Sequence, residues 1–312
     1  MITGVINVRK ERGMTSFGVV AAMRRIFEQK KIGHTGTLDP DAEGVLPVCF
    51  GRATRLVETL MRGTKTYRCV MLLGVTTDTQ DTTGTVLETR PVNVTEDQVR
   101  DALLSFAGKQ MQMPPMYSAV KVGGKKLVDL ARRGIEVERE MREVEFSEFI
   151  IHEMSLPRVT FSVTCSHGAY IRTLCHDTGE KLGCGAAMES LLRTRVGEFR
   201  LEDALTIDEI RALKEKEDAA DRARGGGETA GPYSFVIPPD HFYGELPAVR
   251  LAGANLSKIV SGNPVPKRKT DARDLHIRGC AKLYTEDGRF IGIYRYDEGR
   301  FFLEKYYFED QT

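Results

Sequence analysis

The sequence predicts an α+β protein in which a larger region, residues 1–245, is followed by a small all-β unit, residues 246–312. Residues 65–74 and 159–166 alternate between apolar and polar side chains, as strands with one buried face do. Elsewhere in the larger region, apolar residues recur three and four positions apart, which is typical of helices. After Leu246 the pattern changes to short strands separated by turn residues. These three observations indicate a sheet with flanking helices and an additional β unit.

The composition limits the partners of the chain without identifying one. The 312 residues include 45 lysines and arginines against 44 aspartates and glutamates, so the overall charge indicates no particular partner. Residues 1–40 are locally basic, with seven lysines and arginines against three acids. Such a patch suits phosphate contacts, although a solvated helix face would look the same.

The cysteines and the apolar runs indicate a cellular compartment. None of the six cysteines forms a C-x-x-C pair, which favours free thiols in a reducing cytoplasm. No apolar run approaches the length of a membrane span, and the first residues lack the apolar stretch of a signal peptide. We therefore expect a cytoplasmic protein. Because no Walker, Rossmann, EF-hand or zinc-ligand spacing occurs, we expect no cofactor and no metal.

The first elements are predicted in chain order from local signals. Residues 2–8 are typical of a strand and residues 9–14 of a loop. Thr15 then supplies an N-cap for a helix, and Lys30 and Lys31 end it where cations are favoured. The apolar stripe of this helix comprises Val19, Val20, Met23, Ile26 and Phe27.

Residues 33–47, GHTGTLDPDAEGVLP, form the most informative loop of the chain. Pro40 has no amide donor and biases Asp39 towards extended geometry, so this stretch cannot be the middle of a helix. A carboxylate in a loop with apolar flanks is either a turn-capping residue or a catalytic acid. Because aspartate before proline is a common start of a turn, the residues alone favour the turn and leave the catalytic role open.

A strand and a helix carry two further candidates. Residues 65–74 place Tyr67 on the apolar face of a strand, where a tyrosine is either a core residue or part of a site. A second strand is expected at 85–89. After the strand at 159–166, a helix carries Arg172 in its first turn, where a cation opposes the helix dipole. Two interpretations of that placement stay open. Arg172 either pairs with a specific anionic group, or lies on the surface, where the unfavourable interaction with the dipole costs little.

The C-terminal third contains a linker and a β hairpin. Residues 213–232 carry charge and glycine without sustained periodicity, which predicts a mobile linker. Strands at 280–285 and 289–296, joined by Glu-Asp-Gly, predict a hairpin, and a further strand is expected at 300–306.

Several stretches of the chain resemble the motifs of the TruB-type tRNA pseudouridine synthases. Residues 33–47 are similar to G-H-x-G-(T/A)-L-D-P-x-A-x-G-(V/M)-L, and residues 10–16, KERGMTS, to K-P-x-G-x-T-S. Residues 65–84 resemble K-x-Y followed by L-G-x-x-T-D-T-x-D-x-x-G. CSHGAYIRTL at 165–174 resembles the family's third motif, and residues 112–124 resemble Q-x-P-P-x-Y-S-A-x-K-x-x-G. The resemblance covers most of the chain apart from the predicted linker.

The resemblance implies the pseudouridine synthase catalytic fold, with a mixed, mainly antiparallel sheet flanked by helices. It also implies an insertion at about 117–143 that grips an RNA stem-loop. Residues 246–312 would form a PUA-like RNA-binding domain. A structural β cap is the alternative for this last unit, and the basic tract at 267–269 favours RNA binding.

The resemblance assigns three catalytic residues. Asp39 corresponds to the essential aspartate, Arg172 to the arginine that pairs with it, and Tyr67 to the active-site tyrosine. The hypothesis for Arg172 is that it keeps Asp39 charged and correctly oriented. The chain departs from the family pattern at Glu11, Glu43 and Val128, where proline, threonine or serine, and tyrosine are usual.

Substrate-binding residues are also implied by the resemblance. His34 would contact the RNA, and Leu192 would close the uracil pocket, with Leu191 possible by a one-residue slip. The other residues assigned to substrate binding or to support of the site are Gly36, Thr37, Asp81 and Lys10.

The function that the resemblance implies is the isomerisation of uridine to pseudouridine at position 55 in the T-loop of tRNA, with base flipping and without cofactor. The expected partner is the tRNA T stem-loop, with no obligate protein partner, and we expect a monomer. Two other classes stay open. One is an RNA-binding or RNA-folding protein that keeps the fold without turnover, and the other is a synthase of different substrate, guided by RNA or acting on rRNA.

Overall fold

A computed structural model describes residues 1–223, 233–253, 256, 259, 262–274 and 276–308. Its helices, in chain order, are α1 (Ser16–Ile26), α2 (Val57–Met61), α3 (Glu96–Leu104), α4 (Leu127–Ala131), α5 (Ile171–Lys181) and α6 (Ile207–Ala223). Its first strands are β1 (Gly4–Lys10), β2 (Ile32–His34), β3 (Glu43–Phe50), β4 (Lys65–Leu73), β5 (Val75–Thr77), β6 (Val86–Thr89), β7 (Gly108–Gln112), β8 (Lys121–Val122) and β9 (Lys125–Lys126). The later strands are β10 (Arg142–Ser155), β11 (Arg158–Cys165), β12 (Ala186–Val196), β13 (Phe199–Arg200), β14 (Ala248–Arg250), β15 (Val265–Pro266), β16 (Cys280–Tyr284), β17 (Phe290–Asp297) and β18 (Arg300–Tyr306).

The larger region is built on one mixed sheet. Its strand order is β1-β3-β12-β4-β11-β10-β7, with β2 paired to β3 and β13 to β12. Neighbouring strands run antiparallel except β12 and β3, which are parallel. The predicted mixed, mainly antiparallel sheet with flanking helices is therefore confirmed. The parallel pair brings the end of β12 beside the start of β3, just after the loop that carries Asp39.

The alternating strands bury one face against helices. Tyr67, Cys69 and Met71 of β4 and the apolar residues of β11 belong to a buried cluster that also contains Leu174 of α5. A second cluster packs α1 and α6 against β1 and β3. Burial of these apolar faces stabilises the sheet by about 25 cal/mol per Å² of apolar surface. The helices that carry Ser16 and Arg172 are thereby fixed to the same sheet.

The structure corrects the predicted ends of the first elements. Strand β1 extends to Lys10, so Arg9 and Lys10 belong to the strand rather than to the loop. Helix α1 begins after the N-cap Thr15 as predicted but ends at Ile26, before Lys30 and Lys31. The reason is local, because Glu28 adopts a φ of 50°, which a continuing helix does not allow.

The predicted linker is largely helical in its described part. Helix α6 covers residues 213–223, and residues 224–232 lie outside the described residues. Thr206 and Glu209 form the reciprocal hydrogen bonds of a capping box at its start. The buried residues of α6 are Ile207 and Ile210, both near its start. The rest of the helix has no continuous apolar stripe, which is the sequence pattern that predicts a helix.

The C-terminal unit is an all-β sheet of order β14-β16-β17-β18-β15. The predicted hairpin and the strand after it are confirmed as β16, β17 and β18. Ile293 and Tyr307 of this unit share a buried cluster with Val5 and Val45 of the larger sheet. The side chain of Arg55 donates a hydrogen bond of 2.7 Å to the Tyr306 carbonyl. The unit therefore packs directly on the larger sheet.

The remaining predicted segments are short elements. The strand expected at 85–89 is β6, which pairs with β5. Within residues 117–143 the structure contains the β8–β9 hairpin and helix α4. None of the helices in the described parts of the chain has both the length and the apolar character that crossing a membrane requires.

Candidate active site

The loop that carries Asp39 is fixed by buried side chains of the preceding segment. Ser16, the first residue of α1, both donates a hydrogen bond to the Leu38 carbonyl and accepts one from the Leu38 amide. The Lys10 ammonium donates to the carbonyls of Pro40 and Ala42 at 2.9 and 2.6 Å, and to that of Glu11 at 3.0 Å. These bonds hold the backbone on both sides of the carboxylate.

The contacts of Lys10 agree with the supporting role named for it above, and its assignment to substrate binding stays a prediction. Its side chain is fully buried, and burial lowers its pKa to about 8 although Asp39, Asp41 and Glu43 oppose that effect. The ammonium supports the loop from beneath. Glu11, which replaces the usual proline, contributes only its backbone carbonyl to this arrangement, and nothing in the structure explains the carboxylate of Glu43.

Asp39 and Arg172 form an ion pair across 133 residues of sequence. The Arg172 Nε lies 3.0 Å from Oδ2 of Asp39, and its Nη2 lies 3.4 Å from Oδ1. Arg172 is only 4 % exposed, whereas the Asp39 side chain is 40 % exposed, so the carboxylate faces the cavity and the guanidinium lies behind it. The predicted pairing is present in the structure.

Arg172 is oriented by backbone carbonyls as well as by Asp39. Its Nη1 donates to the Thr79 carbonyl and its Nη2 to the Tyr117 carbonyl, each at 2.8 Å. Asp81 lies 3.8 Å from Nη1 and is itself held by Thr79 and Thr83. The N–H groups on every side of the planar Arg172 guanidinium therefore have partners. These contacts hold the guanidinium in one orientation and so fix the position of the Asp39 carboxylate that pairs with it. Asp81 supports Arg172 here, near the active-site arginine as predicted.

The charge state of Asp39 reflects opposing effects. Burial raises the pKa of Asp39 above its ordinary value, and Arg172 is the strongest influence in the opposite direction. Asp81 adds to the rise, and Lys10 opposes it. A carboxylate with this balance ionises later than an ordinary aspartate and is a stronger base once ionised.

The Asp39 side chain borders a cavity of about 230 Å³. Gly36 and Thr37 of the same loop line it, together with Tyr67 of β4 and Leu191 of β12. Tyr67 is almost wholly buried, and burial raises its pKa while Arg193 opposes the rise. The cavity therefore combines an aromatic face, an apolar wall and one carboxylate. Its other lining residues are Leu38, Met61, Lys65, Ser118, Ala119, Ser166, His167, Gly168, Ala169, Tyr170, Ile171, Arg172 and Arg193.

Leu191, and not Leu192, is the leucine of the cavity wall. In the β12–β4 ladder Leu191 lies opposite Cys69, on the buried face shared with Tyr67, and is 8 % exposed. Leu192 lies opposite Arg68, whose side chain is on the other face. The geometry therefore favours Leu191, the alternative that a one-residue slip allows, because adjacent residues of a strand point to opposite faces. That this leucine closes a uracil pocket stays a prediction.

This placement predicts different effects for the two leucines. We expect Leu191→Ala to lower kcat/KM by about 10-fold or more, since the lost apolar contact with a bound base is worth roughly 1–3 kcal/mol. Leu192→Ala should change it by less than about twofold. Steady-state kinetics of both variants, with thermal unfolding to exclude a folding defect, is the measurement. A larger effect of Leu192→Ala would contradict the orientation of β12.

His34 lies near the loop but outside the cavity wall that the described residues form. Its Nδ1 accepts a hydrogen bond of 3.3 Å from the Gly36 amide. Burial, with a smaller effect of Arg193, lowers its pKa, so the imidazole is neutral at pH 7. His34 therefore helps to fix the backbone of the loop at Gly36, and its contact with RNA stays a prediction.

Two buried cations of the site were not predicted. Arg193 and Lys65 both line the cavity, and both are buried. The Lys65 ammonium donates to the carbonyls of Met61 and Gly63, and burial lowers its pKa to about 8. The one available signal was that Arg193 is two positions from Leu191 and so shares its face of the strand.

Asp39 and Arg172 also border a second cavity, of about 260 Å³. Val128 and Arg132 of the insertion contribute to its wall, as does Tyr117. Val128, where the family pattern has tyrosine, therefore faces a space next to the Asp39–Arg172 ion pair rather than the first cavity. Within the described ranges, no group of three or more histidine, cysteine, aspartate or glutamate side chains is placed to hold a metal ion.

Comparisons with known proteins give the family of the chain. The model of the TruB family pseudouridylate synthase N-terminal domain matches residues 24–171, and that of the tRNA pseudouridylate synthase B C-terminal domain matches residues 172–225. The tRNA pseudouridine synthase B of Alkaliphilus oremlandii is 49 % identical over 264 residues, covering 85 % of this chain and 83 % of that protein. The synthase of the same name from Burkholderia mallei is 41 % identical over 299 residues, covering 96 % and 94 %.

Solved structures share the fold over almost the whole chain. An archaeal box H/ACA sRNP Nop10-Cbf5 complex contains a chain with a TM-score of 0.65 and 25 % identity, covering 98 % of this chain and 86 % of that one. An H/ACA ribonucleoprotein bound to a substrate RNA containing 2′-deoxyuridine gives a TM-score of 0.65 at 24 % identity, with the same coverage. The chain belongs to the TruB family of pseudouridylate synthases and is an isomerase that modifies tRNA.

Proposed function

We propose that this chain isomerises uridine 55 in the T-loop of tRNA, with Asp39 as the catalytic carboxylate and the target nucleotide flipped out of the loop. The observation that carries the proposal is that Asp39 faces a cavity of about 230 Å³ walled by Tyr67 and Leu191. Sites for drug-sized ligands usually start at about 300 Å³. A cavity of this size suits a single nucleoside.

The chemistry needs no imported group. The N1–C1′ bond of uridine breaks, the base turns, and a C5–C1′ bond forms, while C5 loses its proton and N1 gains one. Asp39 supplies a carboxylate to act on the ribose or the base. Tyr67 and Leu191 supply an aromatic face and an apolar wall that retain the detached uracil. Arg172 keeps the carboxylate oriented through its fork of N–H groups.

The lining of the cavity supports the proposal of base flipping. Its lining comes from the Asp39 loop, the end of α2, strand β4, the segment at Ser118, the turn before α5 and strand β12. A base stacked in a helix cannot enter a cavity lined by several chain segments and contact Asp39, Tyr67 and Leu191 together. Extruding a nucleotide costs a few kcal/mol, and least where the base is already unpaired. A nucleotide of the T-loop meets this requirement better than one in the stem.

Turnover by the isolated chain tests the proposal. We expect release of tritium from a T stem-loop transcript carrying [5-³H]uridine at the target position, without added protein or guide RNA. The matched control is the same transcript with the label in a stem uridine, which should release none. Release only in the presence of a guide RNA would contradict stand-alone action, and tight binding without release would indicate an RNA-binding protein.

A further inference from the structure

Arg193 is a buried cation of the site that the steps above do not use. It is 1 % exposed, lies opposite Tyr67 in the β12–β4 ladder, and lines the same cavity. Its Nε donates to the Val45 carbonyl at 2.7 Å and its Nη2 to the Gly36 carbonyl at 3.2 Å. Arg193 also interacts with the Tyr67 hydroxyl, whose pKa it lowers. Because a guanidinium has five N–H groups, these contacts still leave donors for a ligand.

The backbone is shaped to bring Arg193 close to the loop. Gly44 has a φ of 108°, and a Cβ at this position would lie 2.1 Å from the Arg193 carbonyl oxygen. Only glycine allows β3 and β12 to approach this closely. The contact sets the guanidinium beneath the loop that carries Gly36.

The charge of Arg193 is not neutralised by a carboxylate. Among the described residues, every aspartate and glutamate side chain lies beyond ion-pair distance of its guanidinium. Its surroundings are instead cationic or neutral, and it lowers the pKa of Lys10, Lys65 and His34. A buried charge whose partners are neutral carbonyls is costly to folding, and an anionic ligand in the cavity would supply the opposite charge.

We propose that Arg193 is a further catalytic residue, which stabilises the negative charge of the uracil as it leaves the ribose; this inference rests on the proposed function. When the N1–C1′ bond breaks, its electron pair stays on the base. C1′ is then either captured by the Asp39 carboxylate or relieved by loss of a C2′ proton. In both cases the base becomes an anion with charge on N1 and the carbonyl oxygens. C5 then attacks C1′, which displaces the Asp39 carboxylate or, on the second route, is accompanied by return of the C2′ proton. Loss of the C5 proton and protonation of N1 complete the isomerisation.

The two arginines of the cavity thereby have separate tasks. Arg172 is committed to Asp39, to two carbonyls and to Asp81. Arg193 has no counter-ion before the reaction begins, and so its interaction strengthens only as charge develops on the base. Interactions that grow between substrate and transition state are those that accelerate a reaction.

The test varies the leaving group and the charge of residue 193 together. T stem-loop transcripts carry uridine or 5-fluorouridine at the target position, and single-turnover loss of the intact target nucleoside is measured after nuclease digestion. Fluorine withdraws electrons, so the fluorinated base leaves with less help. The variants are Arg193→Met, Arg193→Gln, which keeps a neutral donor, and Arg193→Lys, which keeps a charge. Arg195→Met, on the same strand, is the matched control.

We expect Arg193→Met and Arg193→Gln to lower the uridine rate by about 10²–10³-fold, as loss of an anion-stabilising donor does. The same two variants should lower the fluorouridine rate by a factor that is roughly 10 times smaller. In Arg193→Lys, the ratio of the fluorouridine rate to the uridine rate should stay close to that of the native protein. Arg193→Gln retains hydrogen bonding if Arg193→Met fails to fold. Equal losses on both transcripts, with RNA binding and melting temperature intact, would overturn the proposal. Inactivity of the native chain would instead refute the proposed function.

Discussion

Replacing Asp39 with asparagine is expected to abolish isomerisation of the T stem-loop while leaving RNA binding unchanged. Asparagine fills the same space but can neither attack a carbon nor accept a proton, so we expect turnover to fall by at least about 10³-fold. Tritium release and filter binding, measured on the same protein, separate the two effects. Asp41→Asn is the matched control, since Asp41 lies two residues away with its side chain 51 % exposed and 3.6 Å from Arg12.

The same substitution should not weaken the fold. Burial raises the pKa of Asp39, so the folded state prefers the protonated carboxyl. Its contribution to stability is therefore present at pH values below the pKa of the unfolded chain and is lost as pH rises through the folded pKa. Asparagine carries no charge, and Arg172 keeps Asp81 and two backbone carbonyls as partners, so we expect the melting temperature at neutral pH to change little. Turnover that survives in Asp39→Asn would exclude Asp39 as the essential group.

The sequence predicts the elements around the site well because their signals are local. Alternation along β4 and β11 places Tyr67 on the buried face, and glycine and proline mark the loop of Asp39. The pairing of Asp39 with Arg172 is not local, and only the resemblance predicts it. In the residues alone, Arg172 is an unfavourable cation at the start of a helix, and the structure shows the carboxylate that compensates it.

The choice between Leu191 and Leu192 could not be made by counting along β12. The pairing of β12 with β4 has irregularities between Met188 and Ser190 and between Arg193 and Arg195. Each one shifts which residues face the cavity, since an extra residue reverses the alternation beyond it. A sequence pattern identifies the strand, but the face of each residue depends on where its bulges lie.

Buried cations are the second kind of residue that the sequence does not reveal. Lys10 and Arg193 are wholly or almost wholly buried, although charged side chains are normally exposed. Both are accommodated by donating to backbone carbonyls of loops that are distant in sequence. Those carbonyls come within hydrogen-bond distance of the two side chains only once the loop of Asp39 and strand β3 have folded. The charges therefore become interpretable only from the folded contacts.

Replacing Arg172 with methionine is expected to lower kcat by about 10²–10³-fold and to move the acid limb of the pH–rate profile to higher pH. The guanidinium opposes the effect of burial on Asp39, so its removal raises the pKa of the carboxyl further. At any pH on that limb a smaller fraction of Asp39 is then ionised. Arg172→Lys keeps the charge but loses the fork, so it should shift the limb less while still lowering kcat.

The pH profile distinguishes an electrostatic role from a structural one. Arg172 also holds the carbonyls of Thr79 and Tyr117, so its loss could reduce activity by loosening the backbone alone. That effect would lower the rate equally at every pH and leave the limb in place, which would contradict the assigned role. Arg211→Met, which removes a solvent-exposed ion pair with Asp208 on α6, should change neither kcat nor the limb. A shifted limb in Arg172→Met alone would identify this guanidinium as the group that keeps Asp39 ionised.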